Sequence, residues 1–324
     1  MPRLDLSAAS VIDTHTHWRP PGYAEVMAEE AARNPAFAHE QALSIRSAQD
    51  PQPPEEKLQG QLQDMTDGGV DTSLVSLPPP AATFGEGAFA ARMAAEMNDA
   101  LIDVAAASGG RLGVLVSLPL PSIDDSVAEL DRVADSAHVA GVQVLATGRS
   151  TDVAPDMTWE VLARAAKLDL PVVIHPALEP LPSTYDDWML GATLGPVVSS
   201  SLAAARLVLS GVLDRLPTLT IVVPHLGGML PYVQQRIADF GKGAAEHEFG
   251  HYLQHRIYVD TCSYHPPALR CAVDTMGADR LVMGTDYPNR GPAGRAVVDV
   301  NNFFDDADVR AMVLGGTART VFGR

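Results

Sequence analysis

The chain has 324 residues, of which 46% are hydrophobic, enough for a large core, so disorder is excluded for its bulk. Its net charge of −17 argues against a nucleic-acid partner, whose phosphates need a basic face, but not against a small acid held by a few local arginines. Cys262 and Cys271 give no disulfide framework, the Met-Pro-Arg-Leu-Asp-Leu start lacks an apolar signal segment, and no run approaches the roughly 18 apolar residues of a membrane span, so a soluble cytoplasmic protein is expected.

The first element is a strand-like run near residues 10–14, within the short apolar segment Val11-Ile12-Asp13-Thr14-His15-Thr16-His17 that ends in His-x-His. Residues 18–54, rich in Pro, Ala and Gln, separate it from its helix and read as a loop over an active-site mouth. Strands follow near 70–77, 112–118 and 140–146, with helices over Phe89–Ser108 and Ile123–Ala137, the second opened by Ser122 and the acids Asp124 and Asp125. A helix over Thr158–Leu168 leads to a strand near 171–175 that ends in His175. Residues 176–199, with Pro176, Pro180, Pro182, Gly191, Gly195 and Pro196, form a second predicted loop at the same mouth. Then come a helix over Leu202–Leu213, a strand near 219–224 that leads into His225, a strand near 256–261, a helix over Pro267–Met276, and a strand near 280–285 before Asp286.

The eight strand-like runs are continuously apolar rather than alternating, as strands covered on both faces should be. Eight βα units fit a closed (β/α)8 TIM barrel better than an open doubly wound sheet. The expectation is one domain over residues 1–324, with insertions at 18–54 and 176–199.

Barrel enzymes gather their chemistry at the carboxyl ends of the strands. His15 and His17 lie two residues apart on an extended strand, so both face the barrel interior. With His175, His225 and Asp286 at other strand ends, they make a set of neutral imidazoles and a carboxylate that suits Zn²⁺ and also Mn²⁺ or Fe²⁺.

Four stretches, Asp13-Thr14-His15-Thr16-His17, Val173-Ile174-His175-Pro176, Pro224-His225-Leu226-Gly227-Gly228 and Gly284-Thr285-Asp286-Tyr287-Pro288, carry a further reading. In order and spacing the chain resembles the amidohydrolase superfamily, on the branch typified by aminocarboxymuconate-semialdehyde decarboxylase. That resemblance implies that His15, His17, His175 and Asp286 ligate one divalent metal, Zn²⁺ first and Mn²⁺ as the alternative. It implies that His225 is the catalytic histidine, with Asp286 able to pass a proton as well. It also implies a homodimer.

Binuclear members of that superfamily bridge two metals with a carboxylated lysine on the fourth strand. Here the lysines are Lys57, Lys167 and Lys242, and the fourth strand reads Gly141-Val142-Gln143-Val144-Leu145, which favours a single metal.

The resemblance also marks Arg46, in Arg46-Ser47-Ala48-Gln49-Asp50-Pro51, as a carboxylate-binding residue, with a spacing one residue shorter than the family's. Arg236, eleven residues after His225, matches an arginine that reaches a neighbouring subunit's site. Guanidinium groups grip carboxylates bidentately. Trp18, directly after the first strand, and His265, after the seventh, are expected to line the mouth; Cys262 reads as a small apolar filler.

His247-Glu248-Phe249-Gly250-His251 matches H-E-x-x-H, but Gly250 and the polar setting mark it as a chance match on a solvated face. The expected function is non-oxidative decarboxylation of a small carboxylated aromatic or conjugated acid. The ligand set leaves hydrolysis of a lactone, amide or ester open, with hydration as a variant. A barrel that binds metal without turnover is the rival, and His225 counts against it.

Overall fold

Eight parallel strands make one sheet in the order β1-β2-β3-β4-β5-β6-β7-β8. They are β1 (Ile12–His17), β2 (Thr72–Ser76), β3 (Leu112–Ser117), β4 (Val139–Leu145), β5 (Val172–His175), β6 (Ile221–Val223), β7 (Ile257–Asp260) and β8 (Leu281–Val282). The structure is a computed structural model that describes residues 4–41, 44–45, 52–146, 155–177 and 187–323. Across the seam, Thr14 N donates to Met283 O at 2.9 Å, and Asp286 N and His17 N bond to His15 O and Tyr287 O at 2.8 Å each. The sheet thereby closes into the expected (β/α)8 barrel, and helices cover its outer face.

The apolar runs divide by side. Ile12, Leu74, Leu115, Ala140, Val173, Val222 and Val282 form one buried layer, with Tyr258 packed against it. Each comes from a different strand, so this layer fills the barrel interior. Leu4, Leu6, Val321 and Phe322 join it and plug the end opposite the histidines. The neighbouring strand residues, such as Val75, Val114, Val142, Ile174 and Val223, pack outward against the helices.

Strict alternation would put His15 and His17 on the opposite face from Ile12. The β1–β2 register prevents that: Asp13 pairs with Ser73, but Thr16 pairs with Val75. One extra residue in β1 forms a bulge, which returns the odd-numbered histidines to the interior side.

Two expectations need correction. Within the predicted loop at 18–54, the described residues include helices Tyr23–Arg33 and Pro35–Glu40. Tyr23, Met27 and Phe37 are buried with Phe84, so this stretch packs as a structural layer. The helix predicted over Leu202–Leu213 begins at Gly195 with Pro196 in its first turn, a position proline tolerates well. It ends at Leu209, and Gly211 (φ 74°) turns the chain into the short helix Val212–Arg215. Among the described residues, no helix is long and apolar enough to cross a membrane.

Candidate metal centre

His15, His17, His175 and Asp286 converge at the carboxyl mouth. Each imidazole has its Nδ1 already committed. His15 Nδ1 lies 2.6 Å from Asp260 Oδ2, and His175 Nδ1 lies 2.7 Å from the Pro176 carbonyl. Both partners can only accept, so both Nδ1 atoms carry the proton. Ser76 gives its hydroxyl proton to Thr16 O, so its oxygen accepts from His17 Nδ1 at 3.2 Å.

In the neutral rings, all three Nε2 atoms are therefore left with lone pairs that point inward. His15 Nε2 and His175 Nε2 are 3.1 Å apart. His17 Nε2 is 3.3 Å from Asp286 Oδ1, and His15 Nε2 is 3.7 Å from the same oxygen. Acceptors facing acceptors inside a buried site repel one another unless a proton or a cation lies between them. A three-nitrogen, one-oxygen donor set around a single point is the kind a divalent ion takes.

The electrostatics agree. Burial, and then the neighbouring imidazoles, push His175 well below its usual range; burial also lowers His17. Burial opposes charge on His15, but the bond and field from Asp260, with Asp286 and Asp13, outweigh it and push His15 up to about 9. Burial opposes charge on Asp286 too, but contact with His17 and His225 holds that carboxyl well below its usual range. The site thus draws positive charge to its centre, and a bound cation can take the place of the His15 proton.

His225 sits just past β6 in a left-handed turn, with φ 56° at His225 and 55° at Leu226. Gly227 and Gly228 continue it at φ 72° and 65°. Non-glycine residues reach this region only when their surroundings fix them there, and such strain clusters at functional sites. His225 Nε2 is 3.7 Å from Asp286 Oδ2, and its Nδ1 is buried without a hydrogen-bond partner among the described residues. Asp286 also lies in a left-handed turn (φ 56°), and Asn289 Nδ2 donates to its Oδ1 at 2.9 Å.

A cavity of about 410 Å³ opens beside His225. Val197, Leu226, Pro231, Tyr232, Pro267 and Ala268 supply mostly apolar walls, and Cys262, His265 and Arg290 are also on its lining. His265 is exposed and sits just before helix Pro266–Met276. Cys262 is buried, and burial pushes its thiol well up, as a neutral filler requires.

Trp18 is buried in the core beneath Lys57 Nζ, 5.0 Å from its ring, and is not on the cavity lining. Its ring is apolar enough for the helices after β1 to bury it. Arg236 is exposed and lies over Phe240 at 5.4 Å, away from this chain's cavity. Arg46 lies outside the described residues. In the H-E-x-x-H stretch, Glu248 precedes helix Phe249–His255 rather than sharing its face. That helix leads into the amino end of β7, the opposite end of the barrel from His15, His17 and His175.

Four groups beyond the expected set shape the centre: Asp13, Ser76, Asp260 and Arg290. Asp260 had a legible signal, since Ile257-Tyr258-Val259-Asp260 is an apolar run ending in a polar group like the others. Arg290, four residues after Asp286, places Nε 3.9 Å from Asp286 Oδ2.

Comparison with known proteins gives the family. The amidohydrolase family profile matches residues 12–324. Gamma-resorcylate decarboxylase of Rhizobium sp. (strain MTP-10005) is 28% identical over 240 residues, covering 68% of this chain and 73% of that protein. The 2-amino-3-carboxymuconate-6-semialdehyde decarboxylase of Dictyostelium discoideum is 24% identical over 287 residues, 81% of this chain and 75% of its own. In a solved structure, 5-carboxyvanillate decarboxylase of Novosphingobium aromaticivorans is complexed with manganese and 4-hydroxy-3-methoxy-5-nitrobenzoic acid. It shares the fold at a TM-score of 0.84 and 20% identity, with 99% of each chain covered. With a family profile matched from β1 to its last residue, the chain belongs to the amidohydrolase family, on a branch whose relatives include several decarboxylases and a hydratase.

Proposed function

We propose that the chain is a mononuclear, divalent-metal-dependent decarboxylase that removes CO₂ without oxidation from a small carboxylated aromatic or conjugated acid. The observation that carries this reading is the convergence of three inward Nε2 atoms and the Asp286 carboxylate beside His225. Among the described residues no lysine enters this centre: Lys57 lies over Trp18, and Lys167 and Lys242 are exposed, which supports one metal rather than two.

His15, His17, His175 and Asp286 would hold the ion, and it would supply a fixed positive charge for a substrate oxygen and for the electrons left when the carbon–carbon bond breaks. His225 borders the cavity and Asp286 at once, so it can deliver the proton that replaces CO₂ on the reacting carbon. The apolar walls suit a flat ring and keep water from it. Arg290 and His265 offer polar contacts on the same lining.

The donor set suits Zn²⁺, the first expectation, and Mn²⁺ as well. The manganese of the Novosphingobium enzyme makes Mn²⁺ the first ion to try. Arg46 stays a candidate carboxylate contact. Arg236 fits a subunit contact better than this chain's own cavity. Tyr232 and Phe240 on its helix are 84% and 73% exposed, and Trp188, Met189 and Leu202 add further exposed apolar surface, which supports a homodimer.

The test is turnover after metal reconstitution. Hydroxybenzoates and muconate-type acids should release CO₂ with Mn²⁺ or Zn²⁺ restored. Hydrolysis of lactones or esters without CO₂ release from any acid would overturn the decarboxylase assignment in favour of a hydrolase.

A further inference from the structure

Asp260 ends β7 and is 1% exposed. Its carboxylate touches both halves of the centre. Oδ2 accepts from His15 Nδ1 at 2.6 Å. Oδ1 accepts from the backbone N–H of Leu226 at 3.3 Å and of Cys262 at 2.9 Å. Leu226 is the second residue of the left-handed turn that carries His225. Gly284 crowds the same carboxylate: a Cβ placed there would lie 2.9 Å from Asp260 Cβ, from Asp260 Oδ2 and from His15 Cβ. The carboxylate therefore has little freedom to move.

We infer that Asp260 is a positioning residue that ties the metal ligand His15 to the turn bearing His225. Through Oδ2 it holds the proton on His15 Nδ1, so that the Nε2 lone pair faces the metal position. Through Oδ1 it holds the Leu226 amide, and with it the strained turn that aims His225. One buried carboxylate thus fixes where the metal position and the proton-transferring imidazole stand relative to each other. Partners of this kind, which orient a ligating histidine through its other nitrogen, strengthen metal sites by about 10- to 100-fold. The inference rests on the metal-centre reading above.

Asp260→Asn separates positioning from simple packing. The amide has nearly the shape of the carboxylate but replaces one of its two acceptor oxygens with an NH₂ that can only donate. If its oxygen stays on Leu226 and Cys262, its NH₂ meets the donor on His15 Nδ1. If it flips, its NH₂ meets two backbone donors instead.

The whole chain, with Mn²⁺ as probe in a chelator competition, should bind the ion about 10- to 100-fold more weakly in Asp260→Asn than in wild type. The melting temperature of the metal-free variant should stay within a few degrees of metal-free wild type. Asp260→Ala should also speed exchange of the Leu226 amide. Mn²⁺ affinity within twofold of wild type in Asp260→Asn would overturn the inference.

A wild-type protein that binds neither Mn²⁺ nor Zn²⁺ would sink the metal-centre reading alone. The metal-free protein would then decide. Its His15 Nδ1 proton should be strongly downfield and protected in wild type and lost in Asp260→Asn. Absence in wild type, or persistence in the variant, would overturn the role given to Asp260.

Discussion

Thr285 donates twice to Asp13, from its backbone N–H at 3.1 Å and from its hydroxyl at 2.6 Å. Asp13 also accepts from His15 N at 3.1 Å. One buried carboxylate in β1 thus fastens the chain after β8 to the strand that bears His15 and His17. Burial pushes Asp13 up to about 7, while the Thr285 and His15 bonds pull it back toward the ionised form.

Removing the Thr285 hydroxyl leaves that carboxylate short of a donor. Thr285→Val keeps the branched shape and should cost about 1–3 kcal/mol of stability, the usual cost of an unsatisfied buried acceptor. Chemical denaturation of the metal-free protein measures it. A loss below about 0.5 kcal/mol would show that Thr285 adds little to the seam.

Two glycines should respond in opposite directions. Gly284→Ala forces a methyl to within 2.9 Å of His15 and Asp260, and should cost about 1–3 kcal/mol together with bound metal. Gly60 lies on the exposed face of helix Pro54–Gly68, where a Cβ meets nothing within 4 Å. Gly60→Ala should raise stability by about 0.5–1 kcal/mol and leave metal content unchanged. Thermal melts and elemental analysis of the two variants check the contrast.

Chelation should abolish activity and lower the melting temperature, and Mn²⁺ or Zn²⁺ should restore both. Free metal at about a thousandfold over its Kd would stabilise the fold by about 4 kcal/mol. Asp286→Ala should lose metal and activity together. His251→Ala, at the far end of the barrel, should keep its metal; a drop would revive the H-E-x-x-H stretch as a ligand source.

Metal uptake should release about one proton at pH 7, because His15, pushed up to about 9, must give up its proton before Nε2 can ligate. His17 and His175, both lowered by burial, are mostly neutral already at that pH and add little. The release should fall toward zero as pH rises past 9. Calorimetry in buffers of different ionisation enthalpy reads this directly; uptake without proton release at pH 7 would contradict it.

His225→Asn should cut turnover by about 10²- to 10⁴-fold while metal content stays unchanged. Asparagine tolerates the left-handed backbone that His225 adopts, so the turn should survive. Loss of metal in this variant would make His225 a ligand rather than the proton carrier.

Much of this protein is set by local pattern. Continuous apolar runs reveal strands buried on both sides, and all eight lie where the sequence reads them. His15, His17 and His175 sit at strand ends for the same reason. Their neighbours along the chain already define where each strand stops.

Local pattern does not say which groups will meet. The bulge between Asp13 and Thr16, the left-handed turns at His225 and Asp286, and the helices at Tyr23–Arg33 and Pro35–Glu40 all depend on packing against distant chain. His15 and Asp260 are 245 residues apart in sequence and 2.6 Å apart in space. Periodicity reports the burial of each strand by itself. Closure of the barrel decides which strand ends face one another, and so which nitrogens are left to share a cation.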